Sequence, residues 1–239
     1  MTDPAVAEAK RAARNRVWDV LEHENAAPRG VHGHIPNFVG AQDAAARLAG
    51  LEVWNAARVV KCNPDRAQLP VRIRALQQGK LVYMAVPRLA TPAPFYVLDP
   101  DALPAPIAVI ATATGAADHA AKVDVANLLP VDLIVCGSVA VDRSGVRVGK
   151  GAGYADIEVA LLTDAGLISD STIIVTTVHQ LQVVEDLPRD EHDFIVDVVV
   201  TPDEVIYGSA RHRPAGILRE QVTAEQADAI PVLRPYLPG

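Results

Sequence analysis

The chain has 239 residues, with 22 Lys and Arg against 29 Asp and Glu for a net charge of −7, and half of it is apolar. That length supports one sizeable core, expected as a single domain over residues 1–239, and the acidic balance argues against a general nucleic-acid binder, which carries a basic face. No apolar run reaches the roughly 18–20 residues that cross a bilayer, the N-terminus lacks a signal-peptide pattern, and Cys62 and Cys136 join no Cys/His cluster.

These features point to a cytoplasmic protein with neither a membrane nor a nucleic-acid partner. Residues 4–24 read as a helix. Asp3 caps it, Pro4 opens it, and Val17, Trp18 and Leu21 make one apolar stripe. Lys10 and Arg14 stand four apart, on one face. By themselves they fit a solvated basic face. His32 and His34 follow in a loop and read as ordinary loop histidines, since no third metal ligand accompanies them. A short helix is expected near residues 41–49.

Strand and helix patterns then alternate. Strands are expected at 57–61, 81–86, 107–112, 133–136 and 139–141, with a helix at 70–78 and a proline-rich loop through Pro87, Pro92, Pro94 and Pro100. The segments at 133–136 and 139–141 are almost continuously apolar, as in strands buried on both faces. Asp142-Arg143-Ser144-Gly145 is a turn, and 146–148 suits a short returning arm. A helix is expected over 154–163 with Gly166 at its C-terminal end. Strands at 173–178, 194–200 and 204–206 and a terminal helix over 224–233, interrupted by Pro231, complete the pattern. The alternation predicts an α/β domain with a largely parallel central sheet.

The most informative segment runs from Asp142 to Asp156. Gly145, Gly149, Gly151 and Gly153 bracket Arg147 and Lys150, and Asp156 falls at the start of a helix. Glycines let backbone approach a ligand. Successive N–H groups and a helix N-terminus attract anions. The two cations add fixed charge, and Asp156 is placed to hold a divalent cation on a phosphate. Spacing excludes two common phosphate loops. No Ser or Thr follows Lys150, as a P-loop requires, and Tyr154 stands where a dinucleotide fingerprint needs glycine. The glycines alone fit a plain hairpin-to-helix connection as well as a phosphate site.

Taken whole, Asp142-x-x-Gly145-x-Arg147-x-Gly149-x-Gly151-x-Gly153-Tyr154-x-Asp156 resembles the signature of the 5-formyltetrahydrofolate cyclo-ligases, or methenyltetrahydrofolate synthetases. Lys10-x-x-x-Arg14 is similar to the family's N-terminal Lys/Arg helix. The run from Gln182 through Pro188 to Glu191-His192-Asp193, continuing to Asp197 and Thr201, is similar to its C-terminal segment. His34-Ile35-Pro36-Asn37-Phe38 and Gly137-Ser138-Val139-Ala140-Val141 look closer to the divergent methenyltetrahydrofolate synthetase domain-containing branch. The family's usual Tyr-Tyr-Asp-Arg ending reads Tyr154-Ala155-Asp156-Ile157 here. Its substrate-side glutamate has no clean match, Asp65 being the nearest acidic residue.

The resemblance implies a three-layer α/β/α fold of the NagB/RpiA/CoA-transferase-like type. It implies ATP and Mg²⁺ as cofactors. Lys10, Arg147 and Lys150 would act on the transferring phosphoryl group, and Lys10, Arg14, Arg147, Gly149, Lys150, Gly151, Gly153 and Tyr154 would hold the nucleotide. Asp156 and Asp193 would hold the metal. Tyr154 fits a ligand contact or a core position at a helix start. The implied reaction phosphorylates the formyl oxygen of 5-formyltetrahydrofolate and closes the ring to 5,10-methenyltetrahydrofolate. Two alternatives stand beside it: the same ATP chemistry on another small amide or heterocycle, thiamine-related compounds included, and a non-catalytic nucleotide-binding domain. The expected partner is a small-molecule substrate, and the expected assembly a monomer or homodimer.

Overall fold

A computed structural model describes residues 3–209 and 211–237. The chain opens with α1 (Pro4–His23), α2 (Ala41–Ala49), α3 (Glu52–Ala56), β1 (Val59–Cys62), α4 (Leu69–Gln77) and β2 (Leu81–Ala85). It continues through β3 (Phe95–Leu98), α5 (Ile107–Ile110), α6 (Ala113–His119), β4 (Ala121–Val123) and β5 (Leu133–Cys136). A hairpin of β6 (Ala140–Asp142) and β7 (Arg147–Val148) leads into α7 (Tyr154–Asp164) and β8 (Ile173–Thr177). The last elements are β9 (Val183–Val184), β10 (Val198–Val200), β11 (Val205–Tyr207) and α8 (Ala224–Ala229).

The main sheet has eight strands in the order β11-β10-β8-β5-β1-β2-β3-β4. Its inner strands, from β10 to β2, are parallel to their neighbours, while β11, β3 and β4 pair antiparallel at the two edges. Alternate residues feed two cores. Val60, Cys62, Leu133 and Val135 pack against α2, α4 and α6 on one face, and Ile134, Cys136 and Ile174 pack against α7 and α8 on the other. This is the layered, mostly parallel sheet expected from the sequence.

A second, three-stranded sheet in the order β7-β6-β9 carries α1. Ala13, Val17, Trp18 and Leu21 of α1 are buried against Val139, Ala140, Val148 and Leu187. Lys10 and Arg14 continue this stripe toward the helix N-terminus, at the helical spacing of four and three. Docking the apolar half of α1 therefore delivers both cations over the segment that follows β7.

Several expectations need correction. Residues 107–112 form no strand. Pro106 accepts hydrogen bonds from Val109 N (2.9 Å) and Ile110 N (3.0 Å), starting α5, and the Thr112 hydroxyl then caps α6 through Gly115 N (2.9 Å). A short apolar run carries no period that separates helix from strand. The proline-rich loop contains β3, because Pro94 and Pro100 lie on either side of the strand and the Pro94 carbonyl still accepts from Val86 N. The strand expected over 194–200 shortens to β10, with Ile195 bridging Val146 instead. The terminal helix breaks at Ile230 into α8 and a 3-10 turn, Pro231–Tyr236. α3, α6, β4 and β9 carried no recognisable sequence signal.

Gly145 closes the β6–β7 turn at φ 99°, donating to Asp142 O at 3.1 Å, while the Asp142 carboxylate collects Ser144 N, Ser144 Oγ and Val146 N. A Cβ there would run into the backbone carbonyl of Val196. Gly145→Ala should therefore destabilise the protein by roughly 2–5 kcal/mol, from backbone strain and a clash with main chain. A lower urea midpoint at unchanged slope is the expected result; an unchanged midpoint would show that the hairpin is not held in this turn.

Candidate active site

β1 and β5 lie side by side in parallel register, Cys62 opposite Val135. After β1 the chain leaves through α4 on one face of the sheet; after β5 it leaves through the hairpin and α7 on the other. Open α/β sheets bind ligands where connections diverge in this way, beyond the carboxyl ends of the strands. A cleft of about 900 Å³ sits there. Its floor is the continuation of the two strands, Asn63-Pro64-Asp65 and Gly137. A Cβ on Gly137 would stand 2.8 Å from the Ile35 side chain and 3.0 Å from Gln68 Oε1, so only glycine lets these segments close together.

One wall is α1. The other is the loop from Gly149 to Gly153 and the first turn of α7. Gly151 (φ 100°) and Gly153 (φ 71°) take left-handed conformations that open this loop, and Gly153 is the N-cap of α7. Every candidate residue of the sequence lines the same cleft: Lys10, Arg14, Arg147, Gly149, Lys150, Gly151, Gly153, Tyr154, Asp156 and Asp193. Tyr154 also packs on the core under α7, as the reading of a core position at a helix start expected.

Most of the cations are already paired. Lys10 donates to Asp193 and, at 3.1 Å, to Asp190. Arg147 reaches Asp156 at 3.2 Å and stacks over the Phe194 ring at 4.6 Å. Lys150 stands 3.7 Å from Asp65 across the cleft mouth. Arg14 faces Gly151 with no carboxylate partner among the described residues, and burial beside Arg11 lowers its pKa. The Nε of Arg147 is buried and has no hydrogen-bond partner.

Burial sets the electrostatics in the interior of the site. Burial pushes the Asp156 pKa up further than neighbouring Arg147 pulls it down, and Asp193 adds a smaller rise. Burial opposes charge on Arg147 as well, but Asp156, Cys136, Asp193 and Glu158 together outweigh it and hold the guanidinium protonated. A divalent cation between Asp156 and Asp193 would offset the burial of Asp156 and its repulsion from Asp193, and two carboxylates completed by phosphate and water oxygens suit magnesium. Among the described residues no three His, Cys, Asp or Glu side chains form a ready-made metal cluster.

The cleft also contains groups that sequence reasoning missed. Lys61, in the middle of β1, is buried and donates to Glu158 of α7 and to Asn63 Oδ1 at 3.1 Å. Burial raises the Glu158 pKa, and Lys61 counteracts it. The available signal was a lysine inside an apolar strand and a glutamate between Ile157 and Val159. Asp190, His34, Arg88 and His192 line the rim. His32 lies apart, against Asp19 (3.1 Å) and the Trp18 ring.

The model of the 5-formyltetrahydrofolate cyclo-ligase family matches residues 6–202. The chain belongs to this family. It is 40% identical over 233 residues to the mouse methenyltetrahydrofolate synthase domain-containing protein, covering 95% of this chain and 62% of that protein. The human protein of that name is 37% identical over 241 residues, covering 98% and 63%. The chain thus spans somewhat under two thirds of the length of these relatives. The Escherichia coli K12 5-formyltetrahydrofolate cyclo-ligase is 36% identical over 90 residues, or 36% of this chain and 47% of that enzyme. The solved Aquifex aeolicus 5,10-methenyltetrahydrofolate synthetase superposes with a TM-score of 0.54 at 22% identity, over 86% of this chain and 93% of that one, and so shares the fold.

Arg72, 1% exposed, ties the floor down. Its guanidinium donates to the carbonyls of Asn63, Asp65 (3.1 Å), Pro64 (3.3 Å) and Ala111 (2.7 Å). Arg72→Met would leave the carbonyls of Asn63, Pro64 and Ala111 without this donor, while that of Asp65 keeps Gln68 N (3.2 Å), and should destabilise the protein by about 2–4 kcal/mol. Urea unfolding checks this, and a loss below about 0.5 kcal/mol, the range of ordinary surface changes, would mean the floor loop holds itself.

Proposed function

We propose that the cleft binds magnesium–ATP and uses it to drive the cyclo-ligase reaction. The carrying observation is the meeting of two cations from α1, two from the glycine segment and two acidic residues from separate elements in one switch-point crevice. The γ-phosphate passes to the formyl oxygen of 5-formyltetrahydrofolate. The neighbouring ring-forming nitrogen attacks the activated carbon and loses its proton, phosphate departs with the oxygen, and 5,10-methenyltetrahydrofolate and ADP result.

Such a transfer depends on position and charge neutralisation rather than on a covalent protein intermediate. Arg14, which has no carboxylate partner among the described residues, is available to phosphate oxygens from the start. Lys10, Arg147 and Lys150 exchange their carboxylate partners for phosphate, while Asp156 and Asp193 turn to the metal. Magnesium, when bound, supplies charge that neutralises the phosphate oxygens. The loop amides from Gly149 to Gly153 add donors that need no reorganisation. Glu158 and Asn63 lie at the acceptor end.

A second reading keeps the ATP chemistry and changes the acceptor. Ala155 and Ile157, where the family usually has an aromatic ring and a cation, favour it, and so does the greater similarity to the domain-containing relatives. ADP release from magnesium–ATP, with and without 5-formyltetrahydrofolate, separates the readings while absorbance follows the methenyl product. Folate-dependent ADP and product support the first reading. Tight ATP binding without folate-dependent turnover removes it and leaves another acceptor or a non-catalytic domain. Asp156→Asn should raise the magnesium concentration for half-maximal rate by roughly tenfold; an unchanged metal dependence would take Asp156 out of the metal site.

A further inference from the structure

The Lys61–Glu158 pair stands out because nothing in the packing calls for it. Lys61 shares its sheet face with Tyr83 and Ile134, its register partners on β2 and β5, and the row continues to Ile174 on β8. Glu158 sits among Val159, Leu161 and Leu162, all buried. Lysine and glutamate here are 1% and 3% exposed. A buried ion pair is often no more stabilising than a well-packed apolar pair of similar volume, so an all-apolar floor would serve the fold equally well.

The hydrogen bonds of the cluster leave a specific pattern facing the ligand. Lysine can only donate, so the contact with Lys61 fixes Asn63 with Oδ1 toward Nζ and Nδ2 on the other side. Asn63 Nδ2 then leans on Glu158 Oε2 at 3.5 Å, the same oxygen that takes Lys61. Among the described residues, Glu158 Oε1 accepts nothing and the second Nδ2 hydrogen goes to no acceptor. Both side chains line the cleft. An acceptor oxygen and an N–H donor thus stand next to each other, complementary to an N–H beside a carbonyl.

We propose that Glu158 and Asn63, held in place by Lys61, read a cyclic-amide (lactam) edge on the acceptor substrate, with Glu158 taking its N–H and Asn63 donating to its carbonyl. This rests on the cleft being the site of the reaction proposed above. It assigns acceptor recognition to α7 and the end of β1. Asp65, the nearest acidic residue in sequence to the family's substrate-side position, is engaged instead with Lys150 at the mouth. Lys61 is a positioning residue, since it touches Glu158 and Asn63 and not the ligand.

The test uses 6-methylpterin, which presents such a lactam edge, its N3-methyl derivative, in which the N–H is blocked, and magnesium–ATP, each titrated calorimetrically into the full chain. The intact protein should bind 6-methylpterin and lose about ten- to hundredfold in affinity for the N3-methyl compound, the effect of one unmet buried hydrogen bond. The double substitution Lys61→Met with Glu158→Leu removes both charges together and keeps the volume. It should unfold at a similar temperature, bind magnesium–ATP as before, and lose the discrimination between the two pterins. Equal binding of the two pterins by the intact protein, or no binding of either, overturns the proposal even if the double variant fails to fold. Full discrimination retained in a folded double variant overturns it as well. Loss of the nucleotide reading would show separately, as no binding of magnesium–ATP by the intact protein.

Discussion

Cys62 and Val135 are neighbours in parallel register, yet the chain departs from their two strands over opposite faces of the sheet. The rest of the site depends on this divergence. It opens a crevice beyond the strand ends that no side chain has to vacate, and it brings the start of α7 beside the end of β1. The hairpin of β6 and β7, inserted between β5 and α7, then becomes the seat for α1. Docking of Val17 and Leu21 there carries Lys10 and Arg14 to the glycine loop. One topological fact therefore assembles residues from four separate parts of the chain.

The electrostatics of the cleft follow from its burial. Cations and carboxylates placed in a low-dielectric recess pair with each other when no ligand is present, and among the described residues the pairing is incomplete on the cationic side, at Arg14. Asp156 is pushed up by burial and by Asp193, while Arg147 retains an unpartnered Nε. A ligand with many negative oxygens and an accompanying divalent cation has complementary charges for both halves of this arrangement. The same recess has a second polar centre in Lys61, Glu158 and Asn63, set among the apolar side chains of β1, β5 and α7. In the proposed reading, the first centre takes the phosphates and the second the acceptor, and α7 contributes to both.

Much of the fold was legible because parallel strands buried on both faces are written as continuous apolar runs, as at Leu133–Cys136. Caps and breakers were equally readable: the Asp3 carboxylate accepts from Ala5 N as an N-cap does, and Gly166 ends α7 at φ 67°. Elements whose period was too short to be informative were misread. The segment after Pro106 became a helix because the proline carbonyl could start one, and β3 hid between prolines that flank it. The candidate site was legible where spacing carries chemistry: four residues along α1, and glycines alternating with cations after β7.

Local sequence determined the parts that depend on short-range geometry, namely the amphipathic α1 with its two cations, the turn at Gly145, the phosphate-suited loop and the aspartate at the start of α7. Each of these follows from a backbone conformation or a helical period within a few residues. The tertiary structure alone decided which groups face one another. Lys61 and Glu158 are 97 residues apart and Lys10 and Asp193 are 183 apart, and no local pattern ties either pair together. Their meeting depends on strand order, on the faces that the connections take, and on burial, and these are set by how the whole sheet packs.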